Sequence, residues 1–363
     1  EEQEKLGNVI ILRPSEKPQA GRTEKDKEKI IDLELFSNIV SYIAEHRTKG
    51  VRINLHIYGV DNEKIWQNKV YKLFNILYQY PMFDLYLHTD GTFITEYNVE
   101  LCRRTASMIE YSTDNAIKII ELKDYFKELH TGLPFIKINY QVTNSNIKSL
   151  FEVFKILSKI NLDQPLKLEY FFDKKFSSFA EFKRQIKDIN DFLKEELSRE
   201  EFNRNHKLVY ENLYQMMLRI FAQYQIQEGT FNAQDICESI NNLKCGYERN
   251  DSIIIDASGS IYNCFYSKPI RTIYDNKVAL HSYIIRESDK YNCENCKLCN
   301  VCSGGCSFNQ ETLNDDVEYP SKGYCTLNRA LFDSTLDFLN TIKLNNCVRN
   351  YLYSDLTTKK MKF

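Results

Sequence analysis

The sequence predicts an α/β protein in two parts: a partial (β/α) barrel in front and a cysteine-rich domain behind. Two observations predict it. From residue 31 onward, strand and helix patterns alternate at roughly 25–30 residues, the signature of βαβ units on a parallel sheet. Nine of the eleven cysteines fall within residues 237–325. Five of those stand in one run, residues 292–306, which reads Asn-Cys-Glu-Asn-Cys-Lys-Leu-Cys-Asn-Val-Cys-Ser-Gly-Gly-Cys.

Taken in order, Asn8 to Leu12 reads as a short strand and Pro14 to Lys29 as an exposed, charged loop. Leu35, Phe36, Ile39, Val40 and Ile43 recur at helical spacing and predict a helix over 33–45. Strands are expected over 52–57, 83–87, 108–111, 135–142 and 166–172, with helices over 66–78, 97–105, 120–129 and 147–160. Residues 135–142 (FIKINYQV) alternate almost perfectly. Crossovers between parallel strands are right-handed, so helices cover the sheet. Chemistry on such sheets sits beyond the C-terminal strand ends. Here those ends read Gly59-Val60-Asp61, Thr89-Asp90-Gly91, Ser112-Thr113-Asp114 and Thr143-Asn144-Ser145-Asn146. They suit a ligand-facing rim, and they equally suit ordinary polar loops.

Charged helical patterns follow over 180–193, 200–221 and 233–243. A hairpin is expected over 252–265, turning at Ser258-Gly259, and a closing helix over 328–344 with Phe332, Leu336, Leu339 and Ile342 on one face. The basic tail 348–363 is expected to fray. The division that results is 1–173 for the partial barrel, 174–236 for a helical bridge, 237–327 for the cysteine domain and 328–363 for the last helix and tail.

A chain of 363 residues can bury a large core or hold two domains. A net charge of −2 argues against a field directed at nucleic acid or anionic membrane. The apolar runs are strand-sized, too short to span a bilayer. Eleven cysteines without a secretory signal point to a reducing cytoplasm. Since residue 1 is Glu rather than Met, a native segment ahead of it stays open.

Three chemistries compete for the cysteines. Disulfides need an oxidising compartment and are commonest in small secreted domains. Zinc would use Cys293-x2-Cys296 with Cys299-x2-Cys302, but zinc ribbons space their pairs more widely, and the thiols outnumber one tetrahedral site. Eight thiolates suit two four-iron clusters. Gly304 and Gly305 would let the backbone bend beside a bulky inorganic core. Six histidines (His46, His56, His88, His130, His206 and His281) are scattered. His56 and His88 fall on neighbouring predicted strands, where they suit either a site pair or packed core rings. No phosphate loop, nucleophile elbow or zincin motif is present.

The cysteine spacing resembles a known family. Cys245, thirteen residues, Gly259, four residues and Cys264 are followed by Cys293-x2-Cys296-x5-Cys302-x3-Cys306 and then Cys325. This resembles the seven-cysteine signature of the SPASM domain, which follows the barrel in many radical SAM peptide maturases. Cys237 occupies the place of an eighth ligand found in relatives with two auxiliary [4Fe-4S] clusters. The resemblance implies one cluster on Cys237, Cys245, Cys264 and Cys306, and a second on Cys293, Cys296, Cys302 and Cys325. Cys299 matches no ligand position, and Cys102 and Cys347 read as ordinary thiols.

The front half resembles a radical SAM barrel more distantly. Tyr58-Gly59-Val60-Asp61 stands where that family has Gly-Gly-Glu-Pro. Thr89-Asp90-Gly91-Thr92 stands for Thr-Asn-Gly-Thr, and Ser112-Thr113-Asp114 fits a Ser-x-Asp pattern. The family holds its catalytic cluster with Cys-x3-Cys-x2-Cys, yet residues 1–101 contain no cysteine. Retained SPASM cysteines on a barrel without that triplet resemble the pseudo-radical SAM/SPASM proteins of Bacteroidales-type peptide systems. The resemblance implies an accessory subunit in ribosomal peptide maturation, binding a precursor peptide or a catalytic radical SAM partner, with S-adenosylmethionine not expected and no catalytic residue assigned. Two alternatives stand beside it. One is an active radical SAM/SPASM enzyme whose triplet lies in a segment missing from this chain; the other is a zinc-stapled binding module.

Overall fold

The structure is a computed structural model. It describes residues 9–12, 15–16, 29–46, 50–61, 70–95, 98, 108–122, 135–159, 167–170, 179–197, 216–217, 219–220, 252–262, 269, 271–275, 296–298, 301 and 322–341. In chain order the elements are β1 (Val9–Leu12), β2 (Ser15–Glu16), β3 (Lys29–Ile30), α1 (Leu33–His46), β4 (Ile53–Ile57), α2 (Val70–Tyr78), β5 (Phe83–Thr89), β6 (Met108–Thr113), α3 (Ala116–Glu121) and β7 (Phe135–Val142). A 3-10 turn (Ile147–Ser149) then runs into α4 (Leu150–Lys159), followed by β8 (Lys167–Tyr170), α5 (Phe179–Leu197), β9 (Ser252–Ile255), β10 (Ser260–Tyr262), β11 (Arg271–Thr272) and α6 (Lys322–Thr341). Two compact units result: Glu1–Ile138 with Gly246–Ser282, and Asn139–Cys245 with Tyr283–Phe363.

In the first unit the strands run in the order β11-β10-β9-β1-β4-β5-β6. From β9 to β6 all neighbours are parallel, while β9, β10 and β11 pair antiparallel. The period of two sets the faces. On β4, Ile53, Leu55 and Ile57 are buried while Asn54 and His56 are half-buried. On β6, Ile109, Tyr111 and Thr113 are buried and Glu110 and Ser112 half-buried. Arg52 bridges the starts of β4 and β5. Its guanidinium donates to both Asp84 oxygens at 2.8–3.0 Å and to the carbonyls of Pro81 and Phe83 at 3.0 and 3.2 Å.

Asp32 caps α1. Its Oδ1 accepts from the Leu35 N–H at 2.7 Å, satisfying a donor that the first helical turn leaves unpaired. Of the predicted stripe, Phe36, Ile39, Val40 and Ile43 are fully buried and Leu35 is half-buried, and α1 packs against α2. Each such side chain contributes about 1.5–3 kcal/mol when buried.

In the second unit β7 pairs in parallel with β8, matching Asn139 to Lys167 and Val142 to Tyr170. Helix α5 packs against α4 and α6. Phe192 meets Phe151 and Phe154 edge-on at 6.1 and 6.3 Å. Gln185 is buried and satisfied. It accepts from the Phe151 N–H at 2.8 Å and donates to the Lys148 carbonyl at 3.0 Å.

The class expected from sequence holds: a mixed α/β chain on a parallel sheet. Four local readings change. The stretch 14–29 is not loop throughout, because β2 at Ser15–Glu16 pairs with β3 at Lys29–Ile30. A short helix not expected from sequence, α3, runs Ala116–Glu121, opened by the Asn115 side chain accepting from the Ile117 N–H and closed at Leu122, while residues 123–129 of the helix expected over 120–129 lie outside the described residues. The last helix starts at Lys322 rather than 328, which places Cys325 within it. The 252–262 hairpin forms around Gly259 (φ 78°) as expected, but its first strand also joins β1. The helices expected over 97–105, 200–221 and 233–243 lie largely outside the described residues. Among the described residues no helix is long and apolar enough to cross a membrane.

Candidate functional site

Two of the four strand ends singled out from sequence are tied into one knot. Asp61 follows β4 and addresses the loop after β5. Its Oδ1 accepts from the Thr89 hydroxyl at 2.5 Å and the Phe93 N–H at 2.9 Å, and its Oδ2 from the Asp90 N–H at 2.8 Å. Burial pushes the Asp61 carboxyl up from 3.8 to about 6, against these three hydrogen bonds, which favour the charged form. Gly91 closes the knot at φ 97°, and a Cβ there would lie 2.8 Å from the Tyr111 ring. The other two ends are also internally bonded. Thr113 Oγ1 accepts from the Asn115 N–H at 3.1 Å, and Asn146 accepts from the Thr143 N–H at 2.9 Å.

His56 and His88 do meet: His56 Nδ1 and His88 Nε2 are 2.9 Å apart. The shared bond needs one nitrogen to donate and the other to accept, so the two rings cannot both be imidazolium and keep it. His88 is buried, and its Nδ1 lies 3.7 Å from Glu110, whose other oxygen is 4.0 Å from Lys137 Nζ. Tyr58 stacks on His88 at 3.8 Å and Tyr86 on His56 at 4.6 Å. Three neighbouring strands therefore carry a polar, ring-lined stripe. A proton can be shared between the two imidazoles, while Glu110 and Lys137 lie beyond hydrogen-bond distance and act on them only as nearby charges; the aromatic faces suit a peptide or a heterocycle.

Of the eight cysteines assigned as ligands, Cys296 and Cys325 are described, both part-buried thiols. Cys237, Cys245, Cys264, Cys293, Cys302 and Cys306 lie outside the described residues, as does Cys299. Among the described residues no group of three metal-binding side chains assembles. The two described thiols belong to neighbouring structure within the second unit. Arg329, one turn beyond Cys325 on α6, donates to Cys296 Sγ at 3.8 Å. Lys297 pairs with Asp333 and lies over the Phe332 ring at 5.9 Å. Leu298 and Val301 are buried, and Arg219 donates to the Val301 carbonyl at 3.1 Å. Soft thiols with a cationic donor beside them suit a thiolate-bound metal or cluster.

Sequence reading passed over Glu110, Lys137 and Arg329. The first two carried a signal, for they occupy the polar positions of alternating strands. Arg329 sits four residues after a proposed ligand, which places it on the same helix face.

No family model matches this sequence, and no curated protein matches it. Solved structures do. Native anSMEcpe with bound AdoMet superposes with a TM-score of 0.64 at 15% identity, covering 92% of this chain and 99% of that one. Native anSMEcpe with bound AdoMet and the Kp18Cys peptide gives 0.65 at 15% identity, covering 92% and 99%. Streptococcus suis SuiB bound to precursor peptide SuiA gives 0.52 at 14% identity, covering 88% and 76%. The likeness shows the fold: a mixed α/β chain on a parallel sheet, shared with these structures.

Proposed function

We propose that this chain is a radical SAM/SPASM-like subunit of a ribosomal peptide maturation system, holding two [4Fe-4S] clusters and not cleaving S-adenosylmethionine by itself. The observation that carries it is the seating of Cys296 against the helix that bears Cys325, on a fold shared with peptide-bound structures. One cluster falls to Cys237, Cys245, Cys264 and Cys306, the other to Cys293, Cys296, Cys302 and Cys325. When bound, such clusters supply either a structural staple or an electron relay, and the folding free energy of ligation favours the staple. The sheet of residues 1–173, taken as a partial barrel, would receive a precursor peptide or a catalytic partner. The ring-lined stripe around His56 and His88 is the surface for it.

Two features support a non-catalytic front half. Residues 1–101 supply no thiolate for a site-differentiated iron. The one carboxylate at the Gly-Gly-Glu-Pro position, Asp61, is bonded three times to its own neighbouring loop. The AdoMet held by anSMEcpe favours a second reading, an active enzyme, and counts against the expectation that AdoMet has no place here. One experiment separates the two readings. The complete gene product, reconstituted anaerobically with iron and sulfide, is incubated with AdoMet and dithionite. Under the proposal no 5′-deoxyadenosine accumulates above the protein-free control, even where AdoMet binds; its release establishes the active enzyme.

A further inference from the structure

We infer that Arg329 positions Cys296 and raises the reduction potential of the cluster that Cys296 and Cys325 would share. The inference rests on the cluster reading above and adds a residue that no ligand pattern contains. Helix α6 spans Lys322–Thr341, so Cys325 and Arg329 lie one turn apart on the same face. The Arg329 guanidinium would ordinarily turn to water or to Asp333, four residues on. Asp333 is instead paired with Lys297, and Arg329 points an N–H at Cys296 Sγ, 3.8 Å away. The loop is held from both sides, by Lys297 on Asp333 and Phe332 and by Arg219 on the Val301 carbonyl. Leu298 and Val301, in the same stretch as Cys296, are buried. The sulfur is thus fixed where the donor can reach it.

The consequence is electrostatic. A reduced cluster carries one more negative charge, spread partly onto its sulfurs. An N–H donor with a full positive charge stabilises that state more than the oxidised one. Removing it lowers the potential. Arg329 is exposed, so its replacement leaves the α6 core face of Ala330, Leu331 and Phe338 untouched.

The test is a redox titration followed by electron paramagnetic resonance on the full chain, comparing wild type with Arg329→Met and Arg329→Lys. In Arg329→Met one of two midpoints moves to more negative potential while the other stays. A tenfold change in the oxidised-to-reduced ratio corresponds to about 59 mV for one electron. Arg329→Lys restores part of the shift, since it keeps the charge and loses the planar fork. If Arg329→Met cannot hold its second cluster, iron per chain falls by half, and rescue by Arg329→Lys supports the same role. Two unmoved midpoints at full iron content in both variants overturn the inference and leave the cluster reading standing. Wild-type protein that binds zinc instead of iron overturns the cluster reading itself.

Discussion

Asp61 reaches across from the end of β4 to take the Thr89 hydroxyl at the end of β5, oxygen to oxygen at 2.5 Å. The same carboxylate takes the backbone N–H groups of Asp90 and Phe93. Two strand ends that a ligand would have to face are held by one side chain. Because the folded-state pKa is raised from 3.8 to about 6, the folded protein binds more protons than the unfolded chain between those values. This group's contribution to stability therefore falls as pH rises through that window. Asp61→Asn removes that slope and replaces an acceptor facing the Asp90 or Thr89 donor by an amide, at a cost of about 1–3 kcal/mol at neutral pH. Urea melts of both proteins between pH 4.5 and 7.5 check it.

Asp256 behaves in the opposite sense. Burial acts to raise its pKa, but hydrogen bonds from the Ser258 and Ser260 N–H groups and the Ser258 and Tyr262 hydroxyls outweigh that, and the carboxyl sits below 3.8. Its stabilisation is present above the ordinary aspartate pKa and is lost as pH falls through the depressed value. Asp256→Ala leaves these donors without their acceptor and costs about 3 kcal/mol, read as a shift of the urea midpoint at pH 7.

Gly91 and Gly50 form an internal control. Both have positive φ, at 97° and 79°, but a Cβ on Gly50 meets nothing within 4 Å whereas one on Gly91 meets Tyr111 at 2.8 Å. Gly50→Ala should cost about 1–2 kcal/mol from backbone strain alone. Gly91→Ala adds overpacking and should cost about 3 kcal/mol or more. Equal melting temperatures for the two variants would contradict the close packing of the knot.

Arg52 and Asp84 share several hydrogen bonds, yet Arg52 is 56% exposed. A double-mutant cycle with Arg52→Ala and Asp84→Ala should return a coupling of only about 0.2–1 kcal/mol. A coupling several times larger would mean that the pair governs strand register rather than decorating it.

Much of the local structure was legible because its periods are strong. Ile53 to Ile57 and Met108 to Thr113 alternate, and Phe36 to Ile43 recur at helical spacing. What stayed hidden was long-range or concealed by a local breaker. Nothing in Val9 to Leu12 announces a partner at Ser252 to Ile255. The early start of α6 is obscured by Gly323, a residue that disfavours helix interiors. Register decides that His56 stands opposite Tyr86 and His88 opposite Glu110, and a strand pattern carries no register between separate strands. The cysteine spacing suggested a shared site, but only the contact between a loop and a helix brought Arg329 to Cys296.

The most direct measurement of the central claim is metal and acid-labile sulfide analysis of the complete gene product purified without oxygen. The account predicts roughly eight iron and eight sulfide per chain, as two four-iron clusters require. Colourless protein carrying one or two zinc ions per chain, or no metal at all, would contradict it.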